Sequence, residues 1–152
     1  MLKNLKEYMF FQAPDGILYN FDEGRSKWLS VNRETMTFSV NAKKISGKRY
    51  MALNGIFYSN SSGKKLLRDA VITTIGVQTG NFQCTFDINI HKNNSDNIIY
   101  SVSLLNEPSK IIENINFDLN KNDYIQVSLD NSDVVNVSYP EIIIEYCWRT
   151  TY

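Results

Sequence analysis

A chain with one histidine, two cysteines, no excess of either charge and no long apolar run closes several routes before any pattern is sought. A membrane-spanning helix needs about 20 consecutive apolar residues, and no stretch here approaches that. The start, MLKNLKEYMFFQAPDG, offers only Tyr8, Met9, Phe10 and Phe11 as an apolar block. A secretory leader needs a longer apolar region, so none is expected. Sixteen basic residues balance sixteen acidic ones. A neutral chain gains little from the phosphate attraction that drives nucleic-acid binding, so neither nucleic acid nor an anionic membrane is expected as a partner.

The scarcity of metal-ligating side chains is equally restrictive. Zinc sites draw on several Cys or His ligands, and Cys84, Cys147 and His91 do not supply that spacing. Both cysteines sit in apolar, strand-like runs and are expected as buried thiols. The loops NNSDN and DNSDVVN are rich in Asp and Asn but lack a calcium loop's closing glutamate. Glycine-rich phosphate loops are missing. No cofactor or metal is expected. His91 falls on the polar face of its strand beside Lys92 and Asn93, where a solvated surface histidine is expected. A nucleophilic triad needs an imidazole held between a hydroxyl and a carboxylate, and nothing marks a serine as that nucleophile. The carboxylate pairs Asp22/Glu23 and Glu141/Glu145 read as solvated or interface groups. The chain is therefore not expected to be an enzyme.

What is present is alternation. In FQCTFDINIH, Phe82, Cys84, Phe86, Ile88 and Ile90 share one face, with Gln83, Thr85, Asp87, Asn89 and His91 on the other. Period two over that length is a half-buried strand. IIYSVSLL follows after HKNNSDN and completes a hairpin. Ile115, Phe117 and Leu119 share a face, NKND makes a turn, and Ile125, Val127 and Leu129 point inward. In PEIIIEYCWR, Ile142, Ile144, Tyr146 and Trp148 form one face, with Ile143 and Cys147 on the other. A strand apolar on much of both faces is expected at a sheet centre or against another subunit. KRYMALNG and DAVITTIGVQT read as strands flanking a long polar loop, NGIFYSNSSGKK. GILYNF and KWLSVN flank a turn at DEGRS, with Gly24 available for positive φ.

About eight strands from residue 34 onward, after a hairpin, predict an all-β antiparallel sandwich of jelly-roll type. The one weak helical candidate is Leu2 to Phe11. The boundary falls near residue 33, giving an N-terminal attachment segment and hairpin over 1–33 and a knob over 34–152. No repeat or low-complexity tract interrupts the pattern.

Three groups of residues are candidates for contact. Tyr8, Met9, Phe10 and Phe11 form a short apolar segment that either packs on its own domain or attaches to a larger assembly. Trp28, Arg25 and Arg33, with Ile143, Trp148 and Arg149, combine aromatic, apolar and guanidinium groups of the kind enriched at protein interfaces. The other role for Trp28 is to cover the end of its own sandwich. Phe57 and Tyr58 lie in the polar loop, where aromatics suit sugar or protein recognition or fold back as a cap.

The order LYNFDEGRSKWLSVNRETMTFSV, RYMALNG, LLRDAVITTIGVQ, FDINIHKN, LNKNDYIQV, EIIIEYCWR resembles small bacteriophage virion fibre or knob proteins over about residues 17 to 149. The later half also resembles trimeric jelly rolls of the tumour necrosis factor and C1q type. Asn122 stands where their turn has glycine, and Asn also tolerates positive φ. The resemblance implies a virion surface protein, assembled in the host cytoplasm as a head fibre like those of crAss-like phages, or as a tail fibre or capsid decoration. It implies a homotrimer that contacts other virion structural proteins and a host-surface glycan. A stand-alone lectin-like carbohydrate-binding module is the alternative.

Overall fold

A computed structural model describes residues 9–41, 43–57, 61–80, 85–130, 135–136 and 139–151. Every regular element among them is a strand: β1 (Phe10–Gln12), β2 (Leu18–Asp22), β3 (Lys27–Ser30), β4 (Glu34–Ser39), β5 (Lys44–Ile45), β6 (Arg49–Tyr50), β7 (Ala52–Leu53), β8 (Ile56–Phe57) and β9 (Lys64–Lys65) in the first half. Then follow β10 (Ala70–Gln78), β11 (Thr85–Lys92), β12 (Ile98–Leu105), β13 (Ser109–Ile112), β14 (Phe117–Leu119), β15 (Tyr124–Asp130), β16 (Val135–Asn136) and β17 (Glu141–Thr150).

All pairings are antiparallel. One sheet runs β1-β2-β3-β17-β4-β7-β8, with β10 joined to β17 and carrying β13 and β14. The second runs β12-β11-β15-β6, with β9 also on β15. β5 and β16 form a small separate ladder. One apolar cluster draws on both large sheets: Phe38, Ile72, Ile75, Ile142 and Ile144 from the first, and Ile88, Ile90, Leu104, Ile125 and Leu129 from the second. Two antiparallel sheets sharing one core make the β-sandwich that the alternation predicts.

β17 is central, as expected of a strand apolar on both faces. Ile144 pairs across to Met36 of β4 and to Ile75 of β10. Pro140 stands just ahead of this strand, where no ladder bond is lost.

Several local expectations differ from the structure. The weak helix does not form at its described end, because Phe10–Gln12 pairs with Leu18–Asn20; residues 1–8, including Tyr8, lie outside the described residues. The described part of the long polar loop contains a hairpin. Asn54 and Gly55 take φ of 51° and 79° and join β7 to β8, with Leu53 opposite Ile56. Positive φ at both central residues is what a two-residue hairpin of this twist requires. In the DEGRS turn the left-handed residue is Ser26, φ 54°, not Gly24. Asn122 does take positive φ, 75°.

His91 is the clearest correction. It is fully buried, not solvated. It points to the outer face as the alternation requires, but that face is covered here: Tyr50 packs its ring 6.3 Å away, and Lys48 reaches over Tyr50 to the Ser95 carbonyl. Its neighbours Gln126 and Ser128 are buried on the same face. Cys147 is a buried free thiol as expected; Cys84 lies outside the described residues.

Candidate functional site

The charged tryptophan stretch builds the junction where the β2–β3 hairpin meets the sandwich. The turn closes on itself first. Asp22 accepts the Arg25 backbone N–H at 2.8 Å and the Arg25 Nη1 at 2.7 Å. Arg25 Nε then donates to the Ile115 carbonyl at 2.8 Å, which ties the turn to the segment before β14. Lys27 Nζ donates to Asn116 Oδ1 at 2.6 Å and to Asp118 Oδ1 at 2.7 Å. Arg33 Nη1 reaches Glu145 Oε1 at 2.8 Å. Ladder bonding is brief by comparison: β3 meets β17 only at Leu29–Arg149 and Trp28–Thr150.

Apolar packing completes the join. Trp28 lies edge-on to Phe11 at 5.0 Å and to Phe21 at 5.4 Å, and Phe11 stacks on Tyr19 at 5.3 Å. Leu29 forms a second small core with Val71 and Cys147 on the outer face of the first sheet. Trp148 packs edge-on to Tyr146 at 5.1 Å, and its backbone N–H donates to Ser30 Oγ.

Two crevices flank Arg149, Thr150 and Thr151. One, about 590 Å³, is lined by Asp15, Tyr19, Leu67, Arg68, Asp69 and Lys121 among others. Arg68 and Asp15 are hydrogen-bonded across it. The other, about 410 Å³, is lined by Met9, Phe21, Lys27 and Trp28. Arg149 stands between them. Its Nη2 donates to Asn120 Oδ1 at 3.2 Å, with Asp69 and Asp118 at 3.7 and 3.6 Å.

The electrostatics describe a braced junction. Burial works to raise the Glu145 carboxyl, but hydrogen bonds from Thr73, Arg33 and Thr74, with the Arg33 charge, hold it below its ordinary range. The Ile17 backbone N–H, followed by Arg68, lowers Asp15. Burial raises the Cys147 thiol, which keeps it protonated and unreactive. His91, far along the other sheet, shares its Nε2 with Ser128 Oγ at 2.8 Å inside a closed polar layer.

The candidate residues are thus partly gathered. Arg25, Trp28, Arg149, Met9 and Phe11 meet at the hairpin junction, with Arg33 beside it. Trp148 packs toward Tyr146 rather than into either crevice. Ile143 stands apart, half-buried on the outer face of β17 between Thr37 and Gly76. Phe57 pairs with Ala52, and Tyr58 lies outside the described residues. The bracing groups Asp69, Ile115, Asn116 and Asp118 carried no signal in sequence, because they meet the hairpin only through the fold. No protein-family model matches the chain, and no curated protein matches it.

Proposed function

We propose that the chain is a structural, adhesive protein of a bacteriophage virion surface. It is a homotrimeric knob of jelly-roll type whose N-terminal segment docks to other virion structural proteins while the sandwich faces a host-surface glycan. It forms a head fibre, or a tail fibre or decoration, and performs no catalysis. The observation that carries the docking role is at β1: Met9 and Phe10 are 46% and 60% exposed at the margin of the sheet, while Phe11 next to them is drawn into the Trp28 cluster. Apolar side chains held outward beside a braced hairpin suit a partner surface. The trimer is supported by Ile143, an apolar group on the outer face of the central strand, where a head-to-tail contact would close a ring.

Sedimentation equilibrium tests the assembly, with an expected mass near three chains of 17.6 kDa. A clean monomer at micromolar concentration overturns the trimer. Replacing Met9 and Phe10 by serine is expected to abolish incorporation into particles while leaving the β-sheet spectrum intact. Normal incorporation overturns the docking role. The 590 Å³ crevice favours a second reading, the stand-alone lectin-like module. Sugar binding with no particle association would select it.

A further inference from the structure

A whole-chain charge of zero conceals a segregation. Between Glu34 and Asp69 there is no acidic residue, while seven cations fall within it: Arg68, which pairs with Asp15, and the six Lys43, Lys44, Lys48, Arg49, Lys64 and Lys65. The rest of the chain therefore carries seven more acids than bases. The fold brings four of the six, Lys48, Arg49, Lys64 and Lys65, to one margin of the second sheet. β6 and β9 lie along the same edge of β15, Arg49 opposite Leu129 and Lys64 opposite Ile125. Four residues of strand separate those positions, about 13 Å. Lys43 and Lys44 are linked to Arg49 through the turn at Gly47, φ 65°. All six side chains are exposed.

Lys121 apart, the other described cations differ from these six in being committed to a carboxylate. Arg25, Lys27, Arg33, Arg68, Lys92, Lys110 and Arg149 each lie within 4 Å of a carboxylate. None of the six has a carboxylate partner among the described residues; Lys48 alone has a polar contact, the Ser95 carbonyl. Lysines on short edge strands do discourage edge-to-edge pairing, which accounts for Lys64 and Lys65. It does not account for Lys43 and Lys48, which lie outside strands, nor for the missing acids.

We infer that this margin is a binding surface for a linear anionic polysaccharide. Five cavities of the described structure are lined by other residues, and this surface reads charge along a line rather than the shape of one sugar. Five of the six are lysines, flexible point charges without the bidentate fork that recognises phosphate. Tyr50, whose ring is described there, is packed under Lys48 and against His91 rather than displayed as a platform for stacking bases. The net negative charge of the remaining surface opposes a dense polyanion such as duplex DNA more than a sparsely carboxylated sugar polymer. The inference rests on the adhesive part of the proposed function for its biological setting and names the chemistry of its ligand.

The test uses the full chain with immobilised polygalacturonate, neutral dextran and duplex DNA at matched charge concentration. Expected is retention on polygalacturonate at low ionic strength, loss as salt rises, and none on dextran. Lys64→Glu with Lys65→Glu is expected to weaken binding at least tenfold and to flatten the salt dependence. Lys110→Glu with Lys121→Glu, the same charge change elsewhere, is expected to leave affinity within twofold. Equal losses from both pairs, tighter binding to DNA, or no retention on polygalacturonate each overturn the inference. A monomer that binds polygalacturonate sinks the trimer and keeps this surface. A trimer that ignores the polymer does the reverse.

Discussion

A single buried imidazole gives this protein a pH response separable from that of its carboxylates. Burial, and then the Lys48 charge, hold the His91 pKa below 6.5 against the opposing influence of Ser95, Asp130 and Asp96. Its Nδ1 is buried without a hydrogen-bond partner among the described residues. The unfolded chain therefore takes up the proton first. The stability from a neutral His91 is complete above pH 6.5 and is lost as pH falls from there toward the depressed folded value. The slope of that loss is at most about 1.4 kcal/mol per pH unit for one group. Glu145 and Asp123 are held below their ordinary values, so their contributions fail only at more acid pH. Urea unfolding at pH 7.5 and 5.5 should show the His91 loss, and His91→Gln should remove most of the difference. A wild-type stability flat across that interval would contradict this account.

Short strands in this fold depend on backbone contact more than on side-chain pattern. β9 meets β15 only because residue 63 is glycine: a Cβ there would stand 2.5 Å from the Ile125 carbonyl oxygen. The obstructing atom is ladder backbone and cannot swing aside. Gly63→Ala should destabilise the protein by about 1–3 kcal/mol, the usual cost of overpacking, and urea midpoints would show it. A midpoint equal to wild type would mean that β9 lifts away freely. The same reliance explains which elements were legible in sequence. β11, β15 and β17 are long enough for alternation to declare them, and the residues expected inward are buried. β5 to β9 are two residues each, too short for any period to register. The β7–β8 turn did carry a signal, Asn54-Gly55, which the surrounding polar residues obscured. At the junction, the charged stretch drew notice, but its partners stand about 90 residues away in Ile115, Asn116 and Asp118. No local pattern discloses such pairings. The cationic margin was hidden for a different reason: a chain-wide charge sum cancels what a windowed sum reveals.

At the scale of the whole molecule, the surfaces divide by chemistry. The hairpin end is braced by ion pairs, the β6–β9 margin is cationic, and the outer face of β17 sets Ile143, beside Thr37 and Gly76, between Glu141 and Glu145. If that face meets symmetry mates, Ile143→Glu should convert the three-chain species to monomer without altering the spectrum of the fold. Light scattering on the variant would show it, and a trimer that persists would move the contact elsewhere. β17 bears on how the molecule forms as well. It is the only described strand joining β4 to β10, and it follows both in the chain. Ile144 must find Met36 and Ile75, more than 100 and nearly 70 residues earlier. Before it inserts, β4 and β10 have open edges toward each other's missing neighbour. Closure over such separations is slow, of the ms–s class of β-sandwiches. During that interval the interior strand of the finished protein is its most exposed apolar segment, and crowding of half-made copies would trap them there.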